Sequence, residues 1–253
     1  MAVANVTPIP LSNGLTCHFA SPLMRRTGEN IVREIFTQRR YARPGFELRP
    51  TDVVVDIGAN VGLFALWAAP QVSRVISVEP APAAYDCLRV NVEANGLTNV
   101  TTVRAAAGRD GGTLDMVTSP GWEVLCHAEG MQQSALMRFF ERALLKHYDV
   151  SGAVKFEVPQ ISLGRLFAEH QIDRVDYLKI DCEGGEYEIL RHLDAADWAR
   201  IDKVAMEFHE LAEDHRHAEL VSILRDNGFT VDVRKHPMRY RLYKLGEIWA
   251  RRR

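Results

Sequence analysis

The sequence has little of what would place a protein outside an aqueous compartment. Its four cysteines, Cys17, Cys87, Cys126 and Cys182, are scattered, with no CxxC pair and no zinc-like spacing. That excludes a disulfide framework and reads as reduced thiols. No apolar run approaches the ~20 residues of a transmembrane helix. The opening stretch, MAVANVTPIPLSNG, lacks the basic start and long apolar core of a secretory signal. Charge of one sign is also lacking: 31 basic against 33 acidic residues leave a formal charge of −2. No chain-wide field therefore draws nucleic acid or a membrane, and no basic, aromatic-interleaved patch is expected. Repeats and low-complexity linkers are absent as well. The expectation is a soluble, cytoplasmic protein with neither nucleic acid nor membrane as partner, and with Arg251, Arg252 and Arg253 as a solvated tail.

What is present is ordinary globular composition, 47% apolar and 25% charged, in a chain of 253 residues long enough for a sizeable core. Residues 1–20 read as a short β-rich start turning at Asn13–Gly14, and 29–40 as a helix. From 51 onward strands and helices alternate. Strands are expected at 53–55, 74–80, 100–108, within VDYLKID and within KVAMEFHE, with helices between them. A helix over about 214–227 precedes FTVDVRK and YRLYKLG, which read as a final hairpin. Such alternation predicts an α/β fold, a doubly wound sheet, mostly parallel, with antiparallel strands at its C-terminal edge. The organisation expected is a cap segment over 1–50 and one domain over 51–253. That domain carries an irregular insertion at about 111–158. Within it, 134–148 reads as an amphipathic helix whose apolar stripe suits core packing first, then a lid or a homodimer contact.

Two places carry chemistry. The loop after the first strand, DIGANVG, holds Asp56, Gly58, Asn60 and Gly62, and the second strand ends in Glu79. Glycines there let a backbone approach a ligand, and an acid ending the second strand suits ribose hydroxyls. The spacing is GxxxG rather than the GxGxxG of a dinucleotide site. An acid at the loop entrance repels a pyrophosphate but suits an ammonium, which points to S-adenosylmethionine (SAM) rather than NAD. The bland alternative is that both glycines only serve a tight strand–helix turn.

VVVDIGANVGLFAL, VISVEPAPAAYDCLRVNVEANGL and VDYLKIDCEGGEYEIL together resemble the FkbM family of SAM-dependent methyltransferases over roughly residues 50–235. The LKID-EG-E block narrows the likeness. The resemblance implies a class I methyltransferase (Rossmann-like) sheet of about seven strands and methyl transfer to a hydroxyl oxygen of a small natural product or sugar. It places Asp56, Gly58, Asn60, Gly62 and Glu79 on the SAM motif, and Ala106, at the end of the third strand, by the adenine. Nothing in it matches 111–158.

The second place is YLKIDCEGGEYEIL. Asp181 ends the fourth strand, and Glu207 and His209 alternate onto one face of the fifth. With Glu183 they form a candidate catalytic set, His209 acting as general base oriented by an acid. The alternative is a divalent cation such as Mg²⁺ on Asp181, Glu207 and His209, although oxygen-only ligands suit Mg²⁺ better. Glu183 also suits capping of the turn at Gly184–Gly185. Glu188 reads as a helix-dipole acid, and Glu186 is left open between that role and function. Lys179 should find an acidic partner. Glu29 and Glu34 are weak cofactor-contact candidates, and His215 and His217 read as solvated. Two other functions remain to be weighed. An NAD-dependent oxidoreductase lacks its loop and its Tyr–Lys pair, and a non-catalytic SAM-fold binding module has no use for charged strand ends.

Overall fold

A computed structural model describes residues 6–118, 127–128, 154–212 and 214–253. The expected helix at 134–148 and Cys126 lie outside them. Seven strands make the central sheet: β1 Val53–Ile57, β2 Arg74–Val78, β3 Val100–Val103, β4 Tyr177–Ile180, β5 Lys203–His209, β6 Phe229–Arg234 and β7 Leu245–Arg252. Their order is β6-β7-β5-β4-β1-β2-β3. All neighbours are parallel except β7, which runs antiparallel to both β5 and β6. This is the class I methyltransferase arrangement. The order reverses between β1 and β4, and ligand crevices open at such reversals, beyond the C-terminal strand ends.

Period-2 alternation sorts side chains to the two faces. Val54, Tyr177, Ala205 and Trp249 enter one apolar layer; Val55, Leu178, Met206 and Ile248 enter the other. The first layer includes the N-terminal segment, where Tyr41 and Phe46 pack their rings on Phe64 and Trp249. No helix among the described residues is long and apolar enough to cross a membrane, and Cys17, Cys87 and Cys182 are free thiols.

Helix α1, Pro22–Val32, begins seven residues earlier than expected. The Ser21 hydroxyl accepts the Met24 amide and Pro22 occupies the first turn, a start signal present in the sequence. A π-helical turn, Arg33–Thr37, extends it. Ahead of α1, Ile9–Pro10 pairs antiparallel with Thr16–Cys17 across the Asn13–Gly14 turn. Helix α2, Leu63–Ala68, follows the glycine loop, and α3, Pro82–Ala94, follows β2. From α3, Asn91 and Asn95 reach back to the first hairpin. Asn95 bonds Thr16 through both its oxygen and its nitrogen, at 2.8 and 2.7 Å. Asn91 does the same to His18, at 2.6 and 3.0 Å, and donates to Val61 O at 2.8 Å.

Beyond β3, Thr113–Thr118 and Val154–Ile161 pair antiparallel in a separate small sheet with Ala106–Ala107 and His127–Ala128. Helices α4 Leu163–Glu169, α5 Glu186–Arg191, α6 Ala195–Ala199 and α7 His217–Asp226 complete the alternation.

The chain end differs from expectation. YRLYKLG is not a strand: α8, Pro237–Tyr243, occupies most of it, and the last strand is Leu245–Arg252. The alternation of Tyr and Leu there imitates a strand, while Pro237 at the first helical turn is the better signal. The arginine tail is corrected as well. Arg251 and Arg252 belong to β7, and Arg252 donates to the Trp198 and Ile201 carbonyls with its guanidinium over Phe229.

Candidate functional site

β1 leads into a loop held by backbone geometry. Gly58, Asn60 and Gly62 have φ of +74°, +51° and +90°. A Cβ on Gly58 would stand 1.8 Å from the Asp181 carbonyl oxygen, so the loop and the end of β4 touch backbone to backbone. On Gly62 a Cβ would meet Leu88 at 2.6 Å. Both glycines are therefore fixed by the turn, whatever ligand the loop receives. Asn60 tolerates its left-handed conformation, its Oδ1 taking the Val61 amide at 2.7 Å.

Glu79 closes the loop. Its two oxygens accept the Asn60 and Ala81 amides, each at 2.8 Å. Burial lifts its carboxyl to about 7 despite those amides. Each oxygen keeps a further acceptor position.

Asp56 differs from expectation. Its carboxylate is fully buried, with Oδ1 3.0 Å from Lys179 Nζ. The ammonium expected at Asp56 is the chain's own. Lys179 also donates to Gly58 O at 2.7 Å and Ile57 O at 3.3 Å. Burial alone would lower the Lys179 pKa, but the Asp56 and Asp181 charges and the Asp56 hydrogen bond hold it above its ordinary value. Burial raises the Asp56 carboxyl, and Lys179 opposes this. Asp56 Oδ2 has no hydrogen-bond partner among the described residues. Ala106 is also placed differently: β3 stops at Val103, and Ala106 pairs with Gln160 in the smaller sheet.

At the ends of β4 and β5 the expected acids do come together. Asp181, Glu207 and His209 each offer a ligand atom within 4.8 Å of the others. The charges of Glu207 and His209 are already engaged. Glu207 Oε2 lies 2.7 Å from Arg40 Nη2, and the same guanidinium reaches Glu34 at 2.9 Å and Glu247 at 3.0 Å. His209 Nδ1 lies 2.9 Å from Glu186 Oε1, while Nε2 faces Glu183 Oε2 at 3.6 Å. Burial alone would lower the His209 pKa. The charges of Glu183 and Glu186, with the Nδ1 hydrogen bond, outweigh that and hold the ring well above its usual range. Two flanking carboxylates thus favour the charged form of His209, which works against the general-base role expected of it. Glu183 sits in the left-handed region, φ +50°, and burial lifts its carboxyl to about 7, with His209 opposing.

Sequence reasoning leaves one residue of this cluster, Glu186, undecided and misses another, Arg40. Glu186 opens α5, where any acid suits the dipole; only the arrival of β5 makes it the partner of His209, and it also accepts the Cys182 amide at 3.2 Å. Arg40 has no local signature at all. Glu188 is half-exposed beside Arg191 and Arg109, consistent with a surface role. Among the described residues Glu29 pairs only with Arg25, on the exposed side of α1. His215 and His217 are not solvated: His215 stacks on Tyr187 at 4.0 Å, and His217 Nδ1 lies 2.7 Å from Glu210 Oε1. Such an arrangement can hold a polar ligand by its hydroxyls at Glu79 and accept a proton at the Glu183–His209 pair.

Residues 56–231 match the family described as the methyltransferase FkbM domain. The chain is 32% identical over 238 residues to the 31-O-demethyl-FK506 methyltransferase FkbM of Streptomyces tacrolimicus, covering 88% of this chain and 89% of that one. It is 28% identical to Methyltransferase sdnD of Sordaria araneosa, covering 91% of this chain and 92% of that one. Methyltransferase 1 of Beauveria bassiana is 30% identical, covering 86% and 87%.

Proposed function

The chain belongs to the FkbM family of methyltransferases, and from that premise we propose that it transfers a methyl group from SAM to a hydroxyl oxygen of a small metabolite. The observation that carries this reading is the convergence of Glu183, Glu186 and His209 beside the glycine loop. When bound, SAM supplies an electrophilic sulfonium methyl. Glu79 would hold the ribose hydroxyls at its free acceptor positions, and the 58–62 backbone would lie along the methionine portion. The buried Oδ2 of Asp56, without a hydrogen-bond partner among the described residues, fits a polar ligand at the loop.

An acceptor alcohol becomes a good nucleophile only as its proton leaves. Glu183, near 7, takes that proton in this reading. His209, fixed by Glu186, keeps the Glu183 carboxyl in position as that carboxyl is neutralised. Asp181, half-exposed between loop and cluster, orients the hydroxyl. The reading needs no Mg²⁺, since Arg40 already neutralises Glu207 and Glu186 already holds one His209 nitrogen. Residues 1–50 act as a cap whose Arg40 closes the acceptor end, 51–253 is the catalytic unit, and the insertion at 111–158 selects the acceptor.

The test is a calorimetric titration with S-adenosylhomocysteine, NAD serving as the comparison and Glu79→Ala as the variant. Binding of the former, weakened in the variant, is expected. Binding of NAD instead would overturn the cofactor reading.

A further inference from the structure

The near-zero charge of the whole chain conceals a local imbalance. From Arg234 to Lys244 the sequence is RKHPMRYRLYK, with Arg234, Lys235, Arg239, Arg241 and Lys244 and no acid. Setting those five aside leaves 31 − 5 = 26 basic against 33 acidic residues, a charge of −7 elsewhere. This stretch is α8 and its flanks, and it forms a rim at the acceptor end of the sheet. Leu245 lies opposite His209, and Lys244 O accepts the Glu210 amide at 2.9 Å. Tyr240 fastens the helix from within, its hydroxyl donating to Glu210 Oε2 at 2.9 Å.

Four of these cations face outward. Arg234, Lys235, Arg241 and Lys244 are exposed, and among the described residues Lys235, Arg241 and Lys244 form no ion pair. Lys235 and Lys244 stand over the Tyr240 ring at 4.3 and 5.3 Å. Met238, 59% exposed, lies among them, one of two large apolar side chains so exposed among the described residues.

We propose that this basic rim docks an acidic protein surface that presents the acceptor to the site. The inference rests on the proposed function only in taking the rim's end of the sheet as the acceptor side. Three features select that partner. A small anion is held by convergent donors in a concavity, whereas these cations flank a short helix on its outer side, Arg234 and Lys235 before it, Arg241 on it and Lys244 after it. A nucleic acid needs a long basic track, but the seven residues of α8 span only about 10 Å in a chain otherwise charged −7. An exposed methionine among cations fits the mixed apolar and acidic face of a protein partner, and such a field chiefly speeds and orients encounter.

The test uses the full chain, with fluorescence anisotropy of a labelled oligo-glutamate peptide at low salt as the probe. The wild type is expected to bind with an affinity that falls as salt rises. The Lys235→Glu/Arg241→Glu double variant should bind roughly tenfold more weakly, and Arg89→Glu/Arg225→Glu, the same charge change on other exposed sites, should bind nearly as the wild type does. Unchanged thermal melting and S-adenosylhomocysteine binding establish that the rim variant is folded. Equal losses in both variants, no binding at low salt, or tighter binding of an oligouridylate of equal charge would overturn the proposal. The homocysteine titration is a separate readout, so failure of the cofactor reading is distinguishable from failure of the rim.

Discussion

The glycine loop and the acidic strand ends both bury carboxylates at the same edge of one sheet, yet they neutralise them in opposite ways. At the loop, Glu79 is satisfied by two backbone amides, the farther one 19 residues away. At the acidic end, Glu207 depends on Arg40, 167 residues distant, and Glu186 on a histidine 23 residues ahead. The first solution is built by a turn and forms with it. The second exists only when the N-terminal segment, β4 and β5 have all arrived. Lys179 belongs to both: it sits on β4, neutralises Asp56 and bonds the Gly58 carbonyl. The lesson is that the cofactor side is rigid by local geometry and the acceptor side by long-range charge, so they should fail differently.

The largest effect should come from the shared residue. Lys179→Met leaves Asp56 buried without its cation, and breaking such a pair costs about 3–5 kcal/mol; urea unfolding should show the loss. A stability within about 1 kcal/mol of wild type would mean that Asp56 is protonated in the folded protein. Next comes Arg40→Met, which removes the guanidinium that Glu207 shares with Glu34 and Glu247 at the acceptor end. A loss of about 2–4 kcal/mol is expected, with S-adenosylhomocysteine affinity unchanged. If that affinity falls as far as stability does, the two regions are not separable.

The pH dependence addresses the loop side. The Glu79 carboxyl is raised in the folded state, to about 7 from 4.5, so the folded protein binds the extra proton between those values. Its contribution is present below about 4.5 and is lost as pH rises through about 7. Glu79→Gln should therefore flatten the fall in stability across that window, by about 3 kcal/mol, in urea midpoints compared at the two ends. A slope unchanged by the substitution would return the effect to Glu183, raised in the same direction. The smallest effect belongs to a pair in neither region. Glu29→Ala breaks the exposed Arg25 contact and should move stability by no more than about 0.5 kcal/mol.

This contrast also explains how much could be read beforehand. The strands, the glycine loop and Glu79 follow from period-2 apolar runs and punctuating glycines, which are local signals. The meeting of Asp181, Glu207 and His209 was legible too, because strand ends in such a sheet share an edge. Glu186 was only half legible, since its sequence context also fits any helix-opening acid. Arg40 was invisible: three partners at 34, 207 and 247 give it its place. The end of the chain was misread for another reason. Tyr240 and Leu242 alternate as in a strand, and the arginines look like a tail until Phe229 and the Trp198 carbonyl take up Arg252.

The asparagines of α3 have a consequence for how the molecule opens. The Thr16 and His18 amides are bonded to the side chains of Asn95 and Asn91. Their protection from hydrogen exchange should therefore track the docking of the N-terminal hairpin on that helix, not the persistence of the hairpin itself. Because Asn91 also holds the Val61 carbonyl, the His18 proton in addition reports release of the loop that precedes α2.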